Sequence, residues 1–319
     1  MFTNLSLTSK AYKLWELQEK CFNFAQTRYR SFVEDPDFFW MRNFGRFEFV
    51  RNWKTYAYSS NQSAVQEITS DSILTKHSIA EISQGISNDG YYQGLQLAPQ
   101  ALDALLQFAK SHPCYANRNP RLPFYIHQRE QFEANLSKPL KLAGYMGTHE
   151  TFEVFQKLKQ DPVLLAIAAQ YLGHEPKYHR GELAWSFPVQ STESEKRAAA
   201  QVLHCDINDY RTIKFFFYLT DVTPECGPHI YLEGTNRNRK FVHQLLGQRC
   251  ASIPDKVLIE TYGVDRLKTV CGPAGFGFVG DPYTFHQGTV PTKTPRLLLQ
   301  MEFGINTYKT WYFSSGVTS

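Results

Sequence analysis

The second half of this chain has a texture that few architectures accommodate. Gly181 to Pro188, Ile213 to Leu219, Gly275 to Val279 and Arg296 to Phe303 are short runs rich in aromatic and branched residues, closed by Gly, Pro or Asp. Such residues favour the pleated, half-buried surface of a strand. Helical patterns do not alternate with these runs, so a parallel sheet built from strand-helix-strand units is disfavoured and an all-β barrel or jelly roll is expected. The last run has a clear parity. Leu297, Leu299, Met301 and Phe303 fall on one face, whereas Arg296, Leu298, Gln300 and Glu302 fall on the other.

Ahead of the strands the spacing is helical. Between Ser9 and Val33, the residues Leu14, Leu17, Cys21, Phe24 and Ala25 keep a three-four rhythm that predicts an amphipathic helix. Residues 34 to 70 mix aromatics with Asn, Ser and Arg, show no clear period and receive no assignment. A turn is expected at Asp89-Gly90. Pro99 then opens a helix carrying Leu102, Leu105, Leu106 and Ala109. A further helix is expected from Thr151 to Leu172, with Pro162 as a break or restart and Gly173 as its stop. Ser191 to Ala200 reads as a polar loop. The expected organisation is mainly β with flanking helices: a helical N-terminal extension over residues 1–79 and one domain over 80–319.

With 319 residues and 42% apolar content the chain can bury a full core. A net charge of +4, with Lys and Arg dispersed, gives no footprint for nucleic acid. The first twenty residues lack the apolar stretch of a signal peptide, and no segment approaches the roughly 20 apolar residues of a membrane span. The six cysteines lie far apart without a C-x-x-C pair, which disfavours a zinc-thiolate site. A cytoplasmic protein acting on a small molecule is the expectation, with neither a nucleic-acid nor a membrane partner.

The chemistry centres on His204-Cys205-Asp206, a distant His286, and Arg296 beyond it. Positions i and i+2 of a strand share a face, so His204 and Asp206 can offer an imidazole and a carboxylate to one ion while Cys205 turns away. His286 from another strand completes two histidines and one carboxylate. That set leaves three positions open on one side of an octahedral metal, the arrangement of non-haem Fe(II) oxygenases. A lone His-x-Asp arises readily by chance in a chain with ten histidines. The neighbours raise its weight: Arg296, ten residues past His286, can present a planar fork to the far end of a dicarboxylate. Gln201, Trp185, Phe187 and Phe217 are candidates to line the pocket, although strand aromatics more often belong to a core. Tyr145 and Arg180 are substrate contacts by position alone. His229 reads as a loop histidine, and His149, His174 and His179 have no metal spacing.

Several segments occur in a familiar order: Tyr171-Leu-Gly173, Val202-Leu-His-Cys-Asp206, Tyr218-Leu-Thr-Asp-Val222, Glu225-Cys-Gly-Pro-His229, Leu232-Glu-Gly-Thr235, Gly280-Asp281 and His286-Gln-Gly288. Together with the Asn88-Asp-Gly-Tyr91 turn, they resemble the phytanoyl-CoA dioxygenase family over about residues 80 to 305. The resemblance implies a double-stranded β-helix, a jelly-roll core of the cupin kind. It also implies Fe(II) held by His204, Asp206 and His286, with Arg296 anchoring 2-oxoglutarate and O2 as the other co-substrate. The implied reaction is oxidation of an unactivated C–H bond with release of succinate and CO2. Asp206 favours hydroxylation, since halogenating relatives lack that carboxylate. Two departures bear on the substrate: Glu233-Gly-Thr-Asn236 stands where relatives often have Pro-Gly-Ser-His, and Cys205 where they have Gln. A non-catalytic small-molecule-binding barrel and a cupin-type metal oxygenase without 2-oxoglutarate are the competing readings. Retention of all three ligands argues against the first, and Arg296 against the second.

Overall fold

Alternation along the strands sorts their side chains onto two faces, and each face builds a different core. In a computed structural model, which describes residues 15–16, 18–19, 22–23, 26–59, 72–74, 78–136, 139–189 and 201–309, the strands are β1 (Tyr91–Gln96), β2 (Cys114–Ala116), β3 (Pro123–Phe124), β4 (Leu142–Gly144), β5 (Lys177–Ser186), β6 (Thr212–Tyr218), β7 (His229–Leu232), β8 (Leu267–Val270), β9 (Phe276–Gly280), β10 (His286–Gly288) and β11 (Arg296–Gly304). They form an eight-stranded sheet in the order β1-β9-β6-β11-β5-β4-β2-β3 and a three-stranded sheet in the order β10-β7-β8. All pairings are antiparallel. The expected antiparallel, strand-rich second half with flanking helices is therefore present.

On β11 the parity is as read from the sequence. Leu297, Leu299, Met301 and Phe303 are at most 1% exposed and lie in the larger apolar cluster. That cluster also holds residues of α3 (Ile79–Asp89), α4 (Pro99–Ser111), α6 (Glu153–Lys159) and α7 (Pro162–Leu172). Burying each such side chain contributes about 1.5–3 kcal/mol, so this face is the main source of stability. A second cluster forms on the opposite face of β6. Phe216 and Tyr218 there meet Phe278 of β9, Tyr231 of β7 and Val270 of β8, so the two sheets pack face to face.

The helix expected over Thr151–Leu172 is two helices. Lys159 ends α6, and Asp161 caps α7 by accepting from the backbone N–H groups of Val163 and Leu164, with Pro162 at the first helical position. The turn at Asp89-Gly90 caps α3 with Gly90 at φ 87°, and a Cβ there would lie 2.3 Å from Thr284 Oγ1, so conformation and close approach both require glycine.

Residues 34–70, unassigned from sequence, contribute α1 (Pro36–Phe44) and α2 (Glu48–Ser59). Asp35 caps α1 by accepting from Phe38 N at 3.0 Å, with Pro36 following. Described residues between 15 and 34 are helical, while the start of the helix expected from Ser9 and the loop expected at 191–200 lie outside the described residues. The second helix is tied to the β-sheets through a buried ion pair. Arg51 Nη2 approaches Asp281 Oδ2 at 3.2 Å, and Asp281 also accepts from Tyr171 Oη and the backbone N–H of Tyr283, each at 2.8 Å. The remaining helices are α5 (Arg129–Glu133), α8 (Phe241–Leu246) and α9 (Asp255–Tyr262). Among the described residues no helix is long and apolar enough to cross a membrane.

Candidate metal centre

His204 and His286 come together through their backbones. Their N–H and C=O groups exchange bonds of 3.0 and 2.9 Å in an isolated antiparallel bridge, which sets the imidazole centroids 4.4 Å apart. Asp206 follows outside any regular strand, its N–H donating to Pro282 O at 2.8 Å. A single bridge thus replaces the strand expected at 204–206. Cys205 still turns away, with Sγ 3.1 Å from Arg239 Nη1.

The two imidazoles are oriented alike. His204 Nδ1 lies 2.8 Å from Val202 O and His286 Nδ1 lies 2.8 Å from Thr284 O. A carbonyl only accepts, so each Nδ1 carries a proton, and in the neutral ring it is Nε2 that keeps the lone pair. Asp206 Oδ1 is 3.8 Å from His204 Nε2, and Oδ2 is 4.0 Å from His286 Nε2. One ligand atom from each of the three residues fits within 4.8 Å of the others. Burial, and then His204, push the His286 imidazole down to about 3, which keeps it neutral and able to bind a metal. Burial alone would raise the Asp206 carboxyl, but Lys214, His204 and His286 outweigh it and hold the carboxyl well below the usual range. Two imidazoles and one carboxylate are a donor set suited to a divalent transition metal.

A second charge layer supports the carboxylate, and the sequence reading missed it. Lys214 Nζ donates to Asp206 Oδ2 at 2.5 Å and lies 3.3 Å from Glu302 Oε2. Glu302, 1% exposed, also accepts from Arg180 Nη2 at 3.1 Å and from Asn208 Nδ2 at 2.9 Å. A lone lysine in the apolar run Ile213 to Leu219 was the available signal, since β-alternation puts Lys214 on the face of Phe216 and Tyr218.

Arg296 is 5% exposed, and its Nε and Nη1 have no hydrogen-bond partner among the described residues. Burial lowers its pKa, and the neighbours that counter this are Tyr218 and Cys226 rather than a carboxylate. His229 stands nearby. It begins β7 instead of sitting in a loop, is 6% exposed, and has neither ring nitrogen bonded among the described residues. Its ring is stacked on His286 with centroids 5.6 Å apart.

Three of the four residues expected to line the pocket fall elsewhere. Trp185 pairs with Leu297, and Phe217 with Leu299, both on the helix-facing side of β11. Phe217 and Phe187 belong to the larger cluster, and Trp185 packs against it. Phe216, not Phe217, shares a face with Lys214, and Ala184 and Ser186 take the inward positions on β5. Gln201 is half-buried on the approach to His204. Tyr145 is fully buried and bonded to Ala109 O and Trp185 Nε1, so it serves the core, while Arg180 serves Glu302.

No protein-family model matches the chain, and no curated protein sequence matches it. Among solved structures, the chain is similar to the epimerase SnoN in complex with Fe3+, alpha ketoglutarate and nogalamycin RO, at 15% identity over 75% of this chain and 87% of that one, TM-score 0.48. It is similar to EctD from S. alaskensis with bound Fe, at 16% identity over 75% and 79% of the two chains, TM-score 0.47. It is also similar to HygX from Streptomyces hygroscopicus with nickel and 2-oxoglutarate bound, at 14% identity over 70% and 86%, TM-score 0.47.

Proposed function

We propose that this chain is a non-haem Fe(II)- and 2-oxoglutarate-dependent dioxygenase that hydroxylates an unactivated C–H bond of a small molecule. His204, Asp206 and His286 hold the iron in this reading, and Arg296 anchors the co-substrate. The observation that carries it is the pairing of two features in one interior. Three ligand atoms fit within 4.8 Å, and a buried guanidinium nearby has Nε and Nη1 without partners. A buried cation without an acid is costly, and an anionic ligand removes that cost. The distal carboxylate of 2-oxoglutarate has the charge and planarity to do so through parallel hydrogen bonds.

Iron, 2-oxoglutarate and O2, when bound, supply the oxidant, with succinate and CO2 as by-products. The chain's own residues orient and exclude water. Val202 O and Thr284 O fix the imidazole tautomers, Lys214 holds one oxygen of Asp206, and Phe216, Tyr231 and Phe278 keep the interior apolar. The antiparallel sheets packed through that interior support a double-stranded β-helix, or jelly roll, as the architecture. Among the described residues every strand falls after residue 90, which supports a division into an N-terminal helical extension over 1–79 and the oxygenase domain over 80–319. Among the described residues five cysteines are free, which fits the reducing cytoplasm.

Anaerobic Fe(II) titration followed by 2-oxoglutarate tests the assignment. A weak visible charge-transfer band should appear with one iron per chain, and His204→Ala or Asp206→Ala should abolish it. A wild-type protein that takes up iron but never develops the band on adding 2-oxoglutarate sinks the proposal.

A further inference from the structure

We propose that His229 is a co-substrate-binding residue, the second donor to the carboxylate that Arg296 anchors, and that Gly288 leaves the room between them. The proposal rests on the 2-oxoglutarate reading above and adds a residue to it.

An imidazole is an expensive choice where His229 sits. Its ring centroid lies 4.7 Å from Phe216, 5.3 Å from Phe278 and 5.3 Å from Tyr231. An apolar side chain would fill this cage at no polar cost, whereas both nitrogens of His229 are buried without a partner among the described residues. Such a group calls for a ligand that completes it. In either neutral tautomer the imidazole offers one N–H.

Its position says where that N–H points. Gly288 pairs with His229 across β10 and β7. A Cβ built on Gly288 would have only two atoms within 4 Å, Arg296 Nη2 at 3.6 Å and His229 Nδ1 at 3.9 Å. The space over Gly288 is thus bordered by a guanidinium and an imidazole, and any side chain there would narrow it. One hydroxyl that acts on Arg296 is already committed. Tyr218 Oη donates to Val270 O at 2.8 Å and accepts from the backbone N–H of His229 at 2.9 Å, so its one proton is in use. His229 is a donor beside Arg296 that no acceptor among the described residues takes up.

Calorimetric titration of the anaerobic Fe(II) protein with 2-oxoglutarate, and with 2-oxovalerate, which lacks the distal carboxylate, separates this role from others. His229→Leu should weaken 2-oxoglutarate about 10-fold, the worth of a hydrogen bond to a charged group, and leave 2-oxovalerate and iron content unchanged. His229→Gln should recover part of the loss. Gly288→Ala, whose methyl meets only ordinary contacts, should weaken 2-oxoglutarate without lowering the melting temperature, and so tests the gap should His229→Leu fold poorly. Wild-type affinity for 2-oxoglutarate in both His229→Leu and Gly288→Ala overturns the proposal, as does equal loss of both ligands, which would place His229 in support of the metal instead. A wild-type protein that binds iron but neither oxo acid fails the parent reading, and this proposal goes with it.

Discussion

Replacing Lys214 by Met should destabilise the metal-free protein far more than the metal-loaded one. The ammonium lies 2.5 Å from Asp206 Oδ2 and 3.3 Å from Glu302 Oε2, and the side chains of Lys214, Asp206 and Glu302 are 8%, 21% and 1% exposed. Breaking a buried pair by removing one partner costs about 3–5 kcal/mol. Two features lower the figure here: water reaches part of Asp206, and Glu302 keeps Arg180 and Asn208. About 2–3 kcal/mol remains, or roughly 3–4 °C in melting temperature for a chain of this size. A divalent ion bound by Asp206, His204 and His286 would bring positive charge to the same carboxylate. It would restore much of what Lys214 supplies, and in wild type it must share the carboxylate with the ammonium. Calorimetric scans of both proteins in chelator and in excess Mn(II) measure the difference. The drop in chelator should shrink by at least half in Mn(II). An equal drop under both conditions would refute the coupling and leave Lys214 as a brace unconnected to the metal, and no drop at all would mean the pair contributes nothing.

Arg296→Ala should weaken 2-oxoglutarate binding by about 30-fold to several thousandfold, from the roughly 2–5 kcal/mol lost when one half of a buried charge pair is truncated, with iron content near wild type. Arg296→Lys should recover only part, because a point charge lacks the planar fork; succinate formation against 2-oxoglutarate concentration reads both. Arg51→Met should cost about 3–5 kcal/mol in urea unfolding, since it strands the buried Asp281 and also removes the guanidinium stacked 4.0 Å from the Tyr283 ring centre. A change below 1 kcal/mol would mean that α2 is an appendage to the sheets.

The legible parts of this chain are those where one face of an element differs chemically from the other. Strand β11 alternates Leu, Leu, Met and Phe with Arg, Leu, Gln and Glu, so its parity and the inward position of Arg296 could be read directly. Strand β6 has Phe215, Phe216 and Phe217 in a row, all at most 2% exposed, because apolar cores lie on both sides of it. Hydrophobicity cannot choose between Phe216 and Phe217 there; only the single lysine marks the face. In β5 and the residue after it, the large Leu183, Trp185 and Phe187 all face the helices, and the small Ala184 and Ser186 face inward. Aromatics suggested a pocket where size alternation pointed to a core. Helices α1 and α2 were missed for a different reason. Trp40, Phe44, Phe49 and Trp53 are 42–67% exposed, which erases any apolar period, and only the cap Asp35-Pro36 announced a helix.

Long-range pairing explains what no local pattern could carry. Lys214, Glu302 and Arg180 are scattered in sequence but lie side by side in register across β6, β11 and β5. Burial would raise the Glu302 carboxyl, yet Lys214, Arg180 and His179 hold it well below the usual range, so it stays charged inside the sheet. A charged Glu302 fixes the Lys214 ammonium, which in turn occupies Asp206 Oδ2 and leaves Oδ1 facing His204. The imidazoles are handled in the same way, each with Nδ1 committed to a carbonyl two residues back in its own chain segment. In all three residues the atom not needed for a metal already has a protein partner. The atoms that remain are the two Nε2 and Asp206 Oδ1, the last 3.8 Å from His204 Nε2. Arg296 Nε and Nη1 and both ring nitrogens of His229 follow the opposite rule, buried but without partners among the described residues. Committed atoms around the metal position and uncommitted ones beside it are what a site built for an ion and a separate anionic ligand requires.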